Sequence, residues 1–130
     1  MSDLAEKTVI GCLLMDNKEL HRIYDLLKPD MFQDPVLKEI YREIVKLYDI
    51  GQPANLVTIT QGVESESYTR EYITQVLRDC ALLPYTSTEL KSYAESVVRD
   101  YKAEVFRNIL TRTQVTAAGV EYQIADTIQE

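Results

Sequence analysis

Asp34-Pro35-Val36-Leu37-Lys38-Glu39-Ile40-Tyr41-Arg42-Glu43-Ile44-Val45-Lys46-Leu47-Tyr48 is the stretch from which the fold is read. Asp34 can accept hydrogen bonds from the unpaired N–H groups of a first helical turn. Pro35 suits the first helical position, where its missing N–H is not needed. Val36, Leu37, Ile40, Tyr41, Ile44, Leu47 and Tyr48 recur at three-and-four spacing, while Lys38, Glu39, Arg42, Glu43 and Lys46 fill the opposite face. Glu39 and Arg42 supply one favourable pair on that face. Gly51 suits the left-handed residue that closes a helix, and Pro53 follows at the distance where a helix cannot continue.

The same reading extends in both directions. Toward the N-terminus, Asp3 with Glu6 has capping-box spacing, and Leu4, Ala5, Val9, Ile10, Leu13 and Leu14 form a helical stripe. Asp16 or Asn17 caps a second helix with Leu20, Ile23, Tyr24 and Leu27 inward, ended at Lys28-Pro29 because the residue before proline disfavours the helical region. Toward the C-terminus, Asn55 caps a short helix through Leu56, Ile59 and Val63. Its β-branched run Val57-Thr58-Ile59-Thr60 is the one place a strand could form, but no second strand is available to pair with it. Gly62 through Ser67 is a polar loop. Ser67 or Thr69 caps the next helix, with Tyr72, Ile73, Val76, Leu77 and Cys80 inward, and Leu83-Pro84 stops it. Thr86 and Glu89 form a second capping-box pair, after which no proline or glycine interrupts Leu90 to about Thr116. Leu90, Tyr93, Ala94, Val97, Tyr101, Val105 and Ile109 track one face of that helix. At about 27 residues it would run about 40 Å, longer than the globule is wide, so its C-terminal half is expected to project. Ala117-Ala118-Gly119 reads as a turn, and Ile124 to Glu130 as the start of a returning helix.

These elements predict an all-α chain: a six-helix head over residues 1–85, and over 86–130 a long helix, a turn and the beginning of a second hairpin helix, all one structural unit. The 130 residues fit a single domain, with 45% apolar and 27% charged residues. The net charge is −7, and over residues 1–85 nine basic residues face fourteen acidic ones. That balance lacks the cationic footprint of a DNA-binding surface, so no strong direct DNA binding is expected. Cys12 and Cys80 lie in apolar runs without C-x-x-C spacing and read as buried thiols. The first residues form no signal peptide, and no apolar run reaches the roughly 20 residues needed to span a bilayer, which points to a cytoplasmic protein without membrane contact.

Catalytic patterns are missing. The four glycines, at 11, 51, 62 and 119, are too scattered for a phosphate-binding loop. No H-E-x-x-H or G-x-S-x-G occurs, and the single histidine, His21, falls next to Arg22 on a polar face with no nucleophile beside it. No catalytic, cofactor-binding or metal-ligating residue is assigned. Nine tyrosines against two phenylalanines stand out. Tyr24, Tyr41, Tyr48, Tyr72, Tyr93 and Tyr101 fall on apolar stripes, which suits a tyrosine-lined core, an interface or, against the acidic charge, base stacking. A projecting helix must cover its apolar residues, so Val97, Tyr101, Val105, Phe106, Ile109 and Leu110 are the candidate self-association surface.

Four segments, in order, resemble the N-terminal domain of bacterial replicative helicases of the DnaB type. Ala5-Glu6-Lys7-Thr8-Val9-Ile10-Gly11-Cys12-Leu13-Leu14-Met15-Asp16 is similar to the family's opening AExxVLGxLLxD. Leu26 to Phe32 resembles LxPxxF. Ile40 to Tyr48 with Gly51-Gln52-Pro53 and Asn55-Leu56-Val57-Thr58 resembles IFxAxxxLxxxGxPxDxVT, and Tyr93 to Asp100 resembles YAxIVxE/D. The middle departs: Ser65–Arg70 is short and lacks the family's Gly-Gly pair, and Asn55 stands where Asp is commoner, a change that keeps the cap. The resemblance implies a helical head and hairpin that dimerise in isolation, form a collar in a hexamer, and dock primase and in some systems a helicase loader. It places ATP and Mg²⁺ on an ATPase domain that would follow this chain, whose end inside the expected second hairpin helix reads as that of an excised piece. The alternatives are a primase C-terminal helicase-binding domain, against which the Met1-Ser2 start argues, and a stand-alone helical adaptor.

Overall fold

A computed structural model describes residues 3–84 and 87–115. All regular structure among these residues is helical, as the periodicity predicts: α1 (Asp3–Met15), α2 (Pro35–Asp49), α3 (Leu56–Val63), α4 (Arg70–Ala81) and α5 (Leu90–Val115), with 3-10 turns at Asn17–Arg22, Pro29–Met31 and Ser87–Glu89. Ahead of the 87–89 turn and α5 lie six helical segments, four α and two 3-10.

α1 lies in the middle, packed against α4, α5 and α2. Its position explains its sequence: Ala5, Glu6, Thr8, Val9, Ile10, Cys12 and Leu13 are all buried, because a helix enclosed on several sides has little face to give to water. α2 packs on α3 and on the Pro29–Met31 turn, and α3 packs on α4. Leu37, Ile40, Tyr41 and Ile44 of α2 meet Phe32, Leu27, Ile59 and Ile73 in one core.

The helix ends follow the sequence closely. Asp34 accepts from Val36 and Leu37 N–H at 3.0 and 3.1 Å, with Pro35 first in the helix. At the other end Gly51 has φ 73°, the left-handed value that a side chain opposes. Gln52 N–H reaches back to Leu47 C=O at 2.8 Å and Gly51 N–H to Tyr48 C=O at 3.1 Å, the paired bonds of a Schellman ending. Asn55 accepts from Val57 and Thr58 N–H, while Thr58 Oγ1 accepts from Asn55 N–H, so the β-branched run is helical. Thr69, rather than Ser67, caps α4 through Tyr72 N–H at 3.2 Å.

Three expectations change. The second helix is only a 3-10 turn over Asn17–Arg22 followed by turns, with Asp16 as its cap. Asn17 is taken up elsewhere: its side chain donates to Leu13 and Ala54 C=O at 2.7 and 3.0 Å and accepts from Ala54 N–H at 2.8 Å, which ties the end of α1 to the α2–α3 loop. Leu20 and Ile23 still reach the core, because three-residue spacing matches a 3-10 repeat. Glu6 also accepts from Gln33 and Asp34 N–H at 2.8 and 3.2 Å, which joins α1 to the start of α2, while the Asp3 side of the expected capping box lies outside the described side chains. Leu4 and Tyr72 point outward, 62% and 50% exposed, although Ala5 and Ile73 beside them are buried, because each lies about 100° round its helix from that neighbour, on the flank of the buried face. Of the six tyrosines assigned to stripes, Tyr41 alone is fully buried, and Tyr48 is exposed. The expected Thr86 cap, the turn at Ala117-Ala118-Gly119 and the returning helix from Ile124 lie outside the described residues.

Candidate protein-interaction site

α5 is 26 residues long, which gives about 39 Å at the usual rise. Leu90, Ala94, Val97 and Val98 bury against the head, and no described residue of α5 beyond Val98 is buried. The helix nevertheless stays apolar past that point. Val105 is 39%, Phe106 61% and Leu110 43% exposed. Tyr101 and Ile109 are half-buried. At about 100° per residue these five spread over a broad arc of the helix.

Val97 parts company with the other candidates: it is fully enclosed in the head core. The stripe on α5 is therefore two surfaces in register. α5 packs on α1 and the Pro29–Met31 turn, its buried side chains end at Val98, and the described residues from Tyr101 onward are half-buried or exposed. Sequence periodicity cannot separate them, because the same spacing serves both.

The charge on this arm also departs from the rest. Between residues 99 and 112, Arg99, Lys102, Arg107 and Arg112 outnumber Asp100 and Glu104, in a chain of net charge −7. Arg107 pairs with Glu104 at 3.3 Å across one helical turn, an exposed contact of small energetic weight. Val105, Phe106 and Leu110 thus form an exposed apolar strip on this stretch of α5.

The rest of the molecule offers no reactive centre among the described residues. Burial pushes the Cys12 thiol up to about 11, with Glu19 and Glu89 adding to the shift, so it stays protonated and inert at neutral pH. Cys80 is buried as well. His21 is exposed, its Nδ1 2.6 Å from Lys18 C=O. No group of three or more His, Cys, Asp or Glu among the described residues could hold a metal ion, and none of the described helices is long and apolar enough to cross a membrane. Tyr24 donates to the Asp49 carboxylate at 2.9 Å, which raises the pH at which its phenol ionises, and stands 5.8 Å from the Tyr48 ring.

A second set of exposed apolar side chains escapes a reading based on helix stripes. Ile50 is 61% and Val57 64% exposed, on either side of the Gly51–Asn55 loop. The sequence signal that marks them is a run without charge: residues 50–63 contain no Asp, Glu, Lys or Arg.

Residues 2–99 match the family described as DnaB-like helicase N terminal domain. The replicative DNA helicase DnaC of Bacillus subtilis is 26% identical over 133 aligned positions, which cover 97% of this chain and 28% of that protein. The replicative DNA helicase DnaB of Buchnera aphidicola (from Acyrthosiphon pisum) is 31% identical over 62 residues, 48% of this chain and 14% of that protein. Thus the chain spans about a quarter or less of these two helicases. Among solved structures, the N-terminal domain of DnaB helicase from Mycobacterium tuberculosis superposes with a TM-score of 0.82 at 25% identity, covering 97% of this chain and 92% of that one.

Proposed function

The chain belongs to the DnaB-like helicase N-terminal domain family, and from that membership we propose that it is the assembly and docking domain of a replicative DNA helicase, itself without catalysis. The head over residues 1–85 and the arm from residue 86 act as one unit. The arm joins copies of the chain, as a pair in isolation and as a collar in a hexamer. The assembled collar presents the surface to which primase, or a helicase loader, docks. ATP and Mg²⁺ belong to an ATPase domain outside this sequence. The residues present do not fit a nucleotide site, because no glycine-rich run offers converging N–H groups to a phosphate.

The single observation that carries this reading is the exposure of Val105, Phe106 and Leu110 beyond the last buried residue of α5. Exposed apolar side chains gain about 25 cal/mol for each Å² they withdraw from water, and a second arm offers a matching strip. Light scattering over a concentration series tests it. The chain should gain mass as concentration rises, and Val105→Glu or Ile109→Glu should weaken that association by about tenfold or more, since a carboxylate at a buried contact is left unpaired. A chain that stays monomeric throughout and ignores added primase would remove the reading.

A further inference from the structure

α3 carries three marks of a weak helix. The first is its composition. It has eight residues, of which Val57, Thr58, Ile59, Thr60 and Val63 are β-branched and Gly62 is glycine. Such residues give up more freedom in a helix than straight-chain ones do. Its buried apolar side chains are Ile59 and Val63, against six buried side chains on α2. No residue between 50 and 63 is charged, so no ion pair on its surface offsets this.

The second mark is Thr60. It is 5% exposed, and its hydroxyl has no hydrogen-bond partner among the described residues. Other threonines find one: Thr8 Oγ1 donates to Leu4 C=O at 2.8 Å, and Thr58 Oγ1 to Pro53 C=O at 2.9 Å. An unpaired buried hydroxyl regains hydrogen bonds to water when its helix opens, so Thr60 favours the open form. The third mark is Gly62. A Cβ there would strike the Glu43 carboxylate on α2, so this close approach keeps glycine where alanine would hold the helix better.

The two ends of α3 differ. Asn55 and Thr58 form a capping box at its start, and Asn17 clamps Ala54 just ahead of it. The other end, with Thr60 and Gly62, runs into an exposed polar stretch from Glu64 to Ser67. α3 can therefore open from its C-terminal end while α2 and α4 stay in place. We infer that α3 is a flap on the head, which opens on its own far more often than the whole chain unfolds. Opening bares the faces of α2 and α4 on which α3 packs, and so creates an apolar cleft that the closed head hides. The flap does not depend on the arm reading.

Hydrogen–deuterium exchange of the full chain, at fixed protein concentration and a series of low urea concentrations, tests it. The helical bonds of α3 run from Ile59 N–H to Asn55 C=O through to Glu64 N–H to Thr60 C=O. Amides 59–64 should be less protected than the slowest amides of α1 and α2 by about a hundredfold or more, with little dependence on urea, because a local opening exposes little surface. Thr60→Val removes the unpaired hydroxyl and should slow exchange of amides 59–64 by about tenfold. Tyr41→Phe removes the bond to Leu27 C=O, which a local opening of α3 leaves intact. It should speed the slowest amides of α1 and α2 about fivefold and leave amides 59–64 unchanged. A melting curve on each variant verifies the fold. Amides 59–64 as protected as those of α1 and α2 would overturn the inference. So would amides 59–64 that speed up together with α2 in Tyr41→Phe, or that exchange in Thr60→Val as they do in the wild type.

Discussion

Replacing Glu6 with alanine should lower the stability of the chain by about 3 kcal/mol, although Glu6 has the appearance of an ordinary surface residue in a first helical turn. Its carboxylate is 1% exposed and accepts from Gln33 and Asp34 N–H, just ahead of the first turn of α2. These charge-assisted bonds join two helices through residues 27 and 28 positions apart. They also place negative charge at a helix N-terminus, where the backbone dipoles favour it. Alanine leaves the N–H groups without their acceptor and a gap where the side chain lay. Glutamine keeps the volume and one acceptor oxygen, and should recover about half of the loss. Urea midpoints for the three proteins measure it. Equal stabilities for wild type and Glu6→Ala would mean that water replaces the carboxylate at no cost.

Tyr41→Ala should cost more, about 4 kcal/mol, in the range found when buried aromatic side chains are truncated. The ring is fully buried and stacks on Phe32 with centroids 4.8 Å apart. Its hydroxyl donates to Leu27 C=O at 2.8 Å, holding the chain just before the Pro29–Met31 turn. Tyr41→Phe isolates the hydroxyl and should cost about 1 kcal/mol, because the carbonyl then lacks a donor. Burial holds the Tyr41 phenol well above its usual ionisation range. The folded value exceeds the unfolded one, so this group's stabilising effect is complete below about pH 10 and is lost as pH rises above that. Alkaline unfolding of the wild type should accordingly begin at lower pH than that of Tyr41→Phe.

The parts of the fold legible in sequence are those set by local chemistry. Asp34-Pro35 marks the start of α2, Gly51 its end, Asn55 and Thr69 the starts of α3 and α4, because caps and turn residues act within a few positions. The long α5 follows from the lack of any breaker. What escaped were contacts between distant positions. Asn17 reads as a cap, yet it clamps Ala54. Glu6 reads as a local partner of Asp3, and its bonds to the start of α2 carry no local signal. Tyr72 falls on an apolar stripe, but it lies on the flank of the face that Ile73, Leu77 and Cys80 bury. Within the candidate surface, Val97 was assigned with the arm because its spacing continues unbroken into Tyr101 and Val105. Where the head stops covering that stripe depends on where α1 lies, and spacing along one helix carries no such information.

In the proposed assembly the apolar arm of α5 is covered by another copy of the chain. Hydrogen–deuterium exchange of the backbone amides from Arg99 to Arg112, followed as a function of protein concentration, tests it most directly. A helix opens readily, and its amides exchange fast, unless packing protects them. The expected result is protection that rises with concentration across this segment, while α1 and α2 stay equally protected throughout. Protection of the segment that is the same at every concentration would contradict the claim, since a contact made within one chain does not depend on how many others are present.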